Sequence, residues 1–190
     1  MRATYVALFA SVLLGLVQIP LHEGAHVLAC HALGGDGCHL FSNFGGGRVD
    51  AGLLRAIHVG VGPLAGLGLA LVGARLVGVR DEAAQAAALG IVIVAVGRPL
   101  LLFAVYLATV RAPRRAEFDE IVVAKELGMW PWTVIAASLA VICYCYAIVW
   151  RHNRKDLRWR LLSVAIAGVA LGTFAWLRWL GPVLLPWKIG

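Results

Sequence analysis

The chain is built from apolar runs near or above twenty residues, each long enough as a helix to cross a hydrocarbon layer about 30 Å thick. Inside such a layer every backbone N–H and C=O must be paired within the segment, so runs of this length are confined to helix. Five spans fit: Ala3 to Leu33, which is longer than a bilayer requires, Ala56 to Val77, Ala83 to Val110, Trp130 to Trp150 and Trp159 to Leu180. Tryptophans bound the last two, as is common at a lipid–water boundary. With 61% hydrophobic and 14% charged residues in 190, there are too few polar side chains to coat a water-soluble globule. The net charge of +7 is therefore not read as a nucleic-acid signal. The expectation is an all-α, multi-pass membrane bundle of about five transmembrane helices, with a small Gly-rich loop or hairpin, forming one membrane domain over residues 1–190. The first twenty residues carry one Arg and an apolar stretch, as a secretory signal would. No small-x-small cleavage site follows before His22, so the segment is expected to stay as a helix.

The connections differ in character. Residues 34–54 hold Gly34-Gly35, Gly37 and Gly45-Gly46-Gly47, with a β-capable piece from Cys38 to Phe41, which suggests a small hairpin or re-entrant loop. Residues 111–129 begin with a basic, Pro-containing turn and then read as a short amphipathic helix with Phe118, Ile121, Ala124 and Leu127 on one face. Residues 151–160 hold five Lys/Arg against one Asp, a topology signal for the cytoplasmic side facing anionic lipid. With five spans this puts the N-terminus inside and the 34–54 and 111–129 connections outside, although Arg111, Arg114, Arg115 and Lys125 pull the other way. Cys30, Cys38, Cys143 and Cys145 show no C-x-x-C pair and no framework spacing, so they are expected to be small apolar filler, with neither a disulfide nor a thiolate metal site.

Nine of the ten acids lie in segments that read as loops; the tenth, Glu23, abuts a long apolar run. It belongs to His22-Glu23-Gly24-Ala25-His26, an H-E-x-x-H pattern. An α-helix brings residues four apart to one face, so both imidazoles can reach one Zn²⁺, for which neutral imidazole is a good ligand. Glu23 projects about 100° around the helix from His22 and can take a proton from a water beside the ion without ligating it. A chain of this length and composition meets the pattern by chance in well under about 1% of cases. The competing reading is a polar helix end solvated at the bilayer surface, but two imidazoles and a carboxylate against apolar helix are costly unless they face a cavity or bind something. About 27 Å of helix precedes His22, which sets the pattern near the far side of the bilayer.

A zinc hydrolase commonly has three protein ligands and an open position for water. Asp119, with Glu120 as alternative, is the candidate for the third. Both open the helix of the 111–129 connection, and two spans separate that connection from the end of the first helix, so both reach the same membrane face whichever way the protein is inserted. The bland alternative is an acidic helix N-terminus complementing the dipole.

Together, His22 to His26 in a first membrane helix, the Gly45-Gly46-Gly47 loop, Gly62-Pro63-Leu64-Ala65-Gly66 in the second, and Asp119 with Ala124, Gly128 and Pro131 downstream resemble the site-2 protease family of intramembrane zinc metalloproteases, in its small bacterial-type branch. The resemblance covers roughly residues 10–140, the expected catalytic core, and leaves the helices of 130–180 as a C-terminal addition. It implies an integral, multi-pass protein of a bacterial plasma membrane that holds Zn²⁺ on His22, His26 and an aspartate matching Asp119, with Glu23 as base. That family often has an asparagine beside its Gly-Pro motif and an Asp-Gly pair within a later span. Here Ala65-Gly66 follows Leu64 and Asp119 precedes Glu120, so the group that stabilises the transition state is unassigned.

Gly62, Pro63 and Gly66 are candidates for substrate binding, against ordinary close helix packing by a G-x-x-x-G pair. His31, His39 and His58 read as loop histidines or as partners of the ligands. Cys30 continues the His22/His26 stripe by one turn. Arg98 beside Pro99 interrupts the third span, and a charge there is functional by default. The expected function is a zinc metalloendopeptidase acting on membrane-embedded or membrane-adjacent protein segments, with the lipid bilayer and a membrane protein substrate as partners and no nucleic acid. A helical substrate must unwind to expose its scissile carbonyl, and the Gly-rich loop could offer an edge for the extended stretch. The alternative is a non-catalytic transporter or assembly factor with a structural metal site; the two differ in their need for Glu23.

Overall fold

A computed structural model describes residues 2–42, 44–77, 81, 84–95, 118–152 and 158–186. The elements are α1 (Arg2–Ala32), β1 (Asp36–Leu40), β2 (Gly45–Arg48), α2 (Leu53–Leu76), α3 (Ala84–Ala95), α4 (Asp119–Glu126), α5 (Pro131–His152), α6 (Arg158–Ala175), one π-helical turn (Trp176–Leu180) and α7 (Gly181–Leu184). Among the described residues, four helices are long and apolar enough to cross a membrane: α1, α2, α5, and α6 continued through α7. They match the expected spans to within a few residues. The third expected span is helical over Ala84–Ala95, and the rest of it, with Arg98 and Pro99, lies outside the described residues.

α1 is the axis of the bundle. Its buried residues Ala3, Ala7, Ser11, Gly15, His22, His26 and Cys30 follow a near four-residue repeat, so the ligand pair lies on the same inward stripe as the small residues before it. Small residues allow close backbone contact, which matters in lipid because apolar solvent gives helices no hydrophobic reason to associate. α6 packs along this stripe through Gly168 and Gly172, and a Cβ on Gly172 would overlap Val12 O and lie 2.9 Å from Leu16 N. Gln18 donates to Thr173 Oγ1 across the same seam, pairing a part-buried amide. Gly172→Leu is expected to force the two helices apart and cost about 3 kcal/mol, read as a lowered unfolding midpoint in detergent.

An apolar core of Ala7, Ala70, Val77, Leu89, Val92, Cys145, Val149 and Leu161 fills the half of the bundle away from the hairpin. α3 crosses there, with Val92 against Gly73, and its end Ala95 shares a small cavity with His22. α2 leads from the hairpin face to the opposite one, and α4 lies beside the His22/His26 end of α1.

β1 and β2 form the expected hairpin, antiparallel with His39 opposite Gly46 and Leu40 opposite Gly45. It lies on the last turns of α1. The expectation for the cysteines fails here, because Cys30 and Cys38 form a disulfide, with Cα atoms 5.9 Å apart. Gly34 and Gly37, at φ 71° and 62°, fold the chain straight back over the helix end, bringing a residue only eight positions on within bonding reach. Cys143 and Cys145 are free.

The short helix is also shorter and differently faced than expected. α4 starts at Asp119, buries Glu120, Ile121, Val122 and Ala124, and leaves Leu127 exposed. Gly128, at φ 65°, closes it with Met129 N–H donating to Ala124 O at 2.7 Å, a left-handed cap that turns Leu127 outward and lets Pro131 begin α5.

Candidate metal centre

α1 presents His22 and His26 one turn apart, buried at 8% and 5% exposure. α4 brings Asp119 over them. Its approach is set by Glu126 at the other end of α4, which accepts from Gly52 N–H at 2.6 Å and pairs with Arg55 at 3.4 Å, tying α4 to the start of α2. Asp119 Oδ2 lies 2.9 Å from His22 Nε2 and 3.4 Å from His26 Nε2, and the two nitrogens are 3.1 Å apart. A tetrahedral ion with bonds of about 2.0–2.1 Å separates its donors by roughly 3.3 Å, so the triangle has the size of one face of a zinc site. Among the described residues, this trio is the group of His, Cys, Asp and Glu side chains gathered closely enough to hold an ion.

The hydrogen bonding around His26 fits that role. Its Nδ1 lies 2.9 Å from the backbone carbonyl of His58. A carbonyl can only accept, so Nδ1 carries a proton, and in its neutral form the ring turns the lone pair of Nε2 toward His22 and Asp119. Two imidazole nitrogens and a carboxylate oxygen this close must share either a proton or a cation, and they are the donor types Zn²⁺ takes.

α2 passes directly beneath the pair at Gly62. A Cβ there would overlap His22 Cε1 and His26 Nε2 and lie 2.6 Å from His22 Nε2, so Gly62 is the floor on which both rings rest. Gly66 has open space where its Cβ would be, so the two glycines of the G-x-x-x-G pair differ in role. Pro63 lines both the small cavity beside His22 and the apolar groove between α2, α4 and α5.

Glu23 sits beside the trio, and its Oε2 accepts from Gly45 N–H of β2 at 2.8 Å. Glycine is required at that point of β2, because a Cβ would press on the backbone and side chain of Glu23. Glu120, one residue from Asp119 and so about 100° around the helix, is 2% exposed and turns to a cavity of about 60 Å³ shared with Gln18, His22 and Ser138. Of the two acids considered for the third position, the structure brings Asp119 onto the imidazoles. On the other side opens a cleft of about 710 Å³ lined by Glu23, His26, Gly45, Arg48, His58 and Asp119.

Of the other histidines singled out, His31 and His39 are exposed, while His58 is buried beside His26, its ring edge-on at 5.8 Å between centroids. His58 is a partner of the ligands, one of the two expectations for it, but through its backbone carbonyl; Gly62 is a floor under the imidazoles, and Gly45 as partner of Glu23 has no counterpart among the expectations. Each is a contact between separate elements, which local spacing does not specify. No protein-family model, curated protein or solved structure matches this chain.

Proposed function

We propose that the chain is an intramembrane zinc endopeptidase of the site-2 protease kind, cutting peptide bonds in membrane-embedded or membrane-adjacent protein segments. The observation that carries the reading is the meeting of His22 Nε2, His26 Nε2 and Asp119 Oδ2 within 3.4 Å, with an unligated Glu23 beside them, in a bundle of lipid-length helices. A zinc ion bound there would supply Lewis acidity toward a peptide carbonyl and acidify a water. His22, His26 and Asp119 would hold the ion. Glu23 accepts the proton of the attacking water and returns it to the leaving amine. Gly45 N–H fixes one oxygen of that carboxylate, leaving Oε1 for the proton. The wide cleft between β2 and the α2/α4 pair accommodates an unwound, extended segment, with the backbone of Gly45 to Gly47 along one wall.

The hairpin face is assigned to the extracytoplasmic side of a bacterial plasma membrane. Disulfides persist in oxidising compartments, and Cys30–Cys38 supports the same orientation as Arg151, Arg158 and Arg160 at the opposite end. Protein extracted under alkylating, non-reducing conditions is expected to have Cys30 and Cys38 linked; full alkylation of both thiols contradicts the orientation.

The direct test of function is metal analysis together with proteolysis. Purified protein is expected to hold about one zinc per chain and to cleave fluorescein-labelled casein, with activity removed by a chelator and restored by zinc. His22→Ala is expected to lose the metal. A chain that binds no zinc, or a casein signal indifferent to chelation, removes the proposal.

A further inference from the structure

The far C-terminal end of the bundle reaches back to the hairpin. Trp176, 8% exposed and opening the π-helical turn, donates its indole N–H to the backbone carbonyl of Ser42 at 2.8 Å. Ser42, fully buried in the turn between β1 and β2, donates its own N–H to the carbonyl of Pro186 at 3.0 Å. Gly181 makes room for this: a Cβ there would lie 2.7 Å from Trp176 O and 3.0 Å from Ser42 Cβ. The turn then closes through Phe41 N–H to Phe44 O at 2.6 Å, and the next residue, Gly45, places its N–H on Glu23 Oε2. A single run of contacts thus leads from the end of α6 to the carboxylate. π-helical turns are rare and are frequent at functional sites. Here the turn aims an indole at a loop.

From this geometry we infer that Trp176 is a positioning residue for Glu23, the base of the proposed endopeptidase, and the inference rests on that reading. The Trp176 and Pro186 contacts hold Ser42 from both its carbonyl and its amide, which sets the height and register of β2 over α1. Gly45 N–H then pins one carboxylate oxygen. The terminal torsion of a glutamate is broad and roughly two-fold, so a carboxylate without this donor samples orientations that do not face the water. A proton acceptor held in place before the reaction needs no reorganisation at the moment of attack. The C-terminal helices, which lie beyond the part of the chain that resembles a protease core, acquire a role in catalysis by this route.

Trp176→Phe keeps an aromatic ring in the buried site and removes the N–H with the pyrrole half of the indole. In the full chain, with labelled casein as substrate, it is expected to retain one zinc, keep KM within about two-fold and lower kcat by about 10- to 100-fold. Hydrogen–deuterium exchange over residues 40–48 is expected to rise, with α1 unchanged. The exchange is read in the Glu23→Gln background as well, so it reports on the clamp whether or not the chain proves to be a peptidase. An unaltered kcat with raised exchange overturns the positioning role; unaltered exchange overturns the clamp. If Trp176→Phe does not yield folded protein, Gly181→Ala, which pushes on Ser42 and Trp176 together, is expected to show the same kcat fall at constant KM and zinc, and a normal kcat there counts against the inference. Absence of zinc or of casein cleavage in the unmodified chain instead removes the endopeptidase reading itself.

Discussion

Glu23→Gln is expected to leave about one zinc per chain and to lower casein turnover by about 10²- to 10⁴-fold, the range that a positioned general base contributes. The substitution is close to isosteric, and the glutamine carbonyl oxygen can still accept from Gly45 N–H, so the hairpin should keep its seat on α1. What it loses is the capacity to take a proton at pH 7. His22, His26 and Asp119 are untouched, which separates loss of chemistry from loss of the site. A structural metal site in a transporter or assembly factor predicts a different outcome. There Glu23 has no proton to move, and the variant would match the parent in every respect measured.

Gly62→Val is expected to empty the site. Even a methyl group at this position overlaps both imidazoles, and valine adds two more carbons on a helix whose backbone is held by α1 and α4. The rings must rotate off Gly62, which destroys the convergence of their Nε2 atoms on Asp119 Oδ2, so zinc content should fall from about one per chain to near zero and cleavage with it. Gly66→Val is the matched control. Its Cβ meets nothing within 4 Å, so zinc should stay bound. Equal zinc in the two variants would mean that α2 does not form the floor of the site.

Much of this architecture is legible in the residues alone, for identifiable reasons. Length and hydropathy locate the spans because lipid demands internally paired backbone over a fixed thickness, and α1, α2, α5 and α6 start and stop close to where the apolar runs do. The H-E-x-x-H spacing carries its own geometry, since a four-residue step on a helix already brings two imidazoles together. Counting crossings puts Asp119 and Glu120 on the right face without any structure. Choosing between them needs the direction of α4, and that is set by Glu126 holding Gly52 and Arg55, a contact across 74 residues with no local pattern.

The disulfide shows a different limit. The spacing of Cys30 and Cys38 matches no framework, whereas their pairing depends on two positive-φ glycines that fold the chain onto the end of α1. Leu127 fits an amphipathic stripe by periodicity, yet the cap at Gly128 ends the helix before the stripe can apply. The clamp from Trp176 to Ser42 joins residues 134 apart and leaves no sequence trace beyond a tryptophan near a glycine. In the first two cases a glycine with positive φ decides the outcome locally, and in the third a contact distant in sequence does.

The most direct measurement is zinc-edge X-ray absorption on the purified full-length chain, compared with Asp119→Ala and Glu120→Ala. The account predicts a first shell of nitrogen and oxygen at about 2.0–2.1 Å with two imidazoles, altered by Asp119→Ala and unchanged by Glu120→Ala. A shell containing sulfur, a shell indifferent to Asp119, or no zinc at the edge would contradict it.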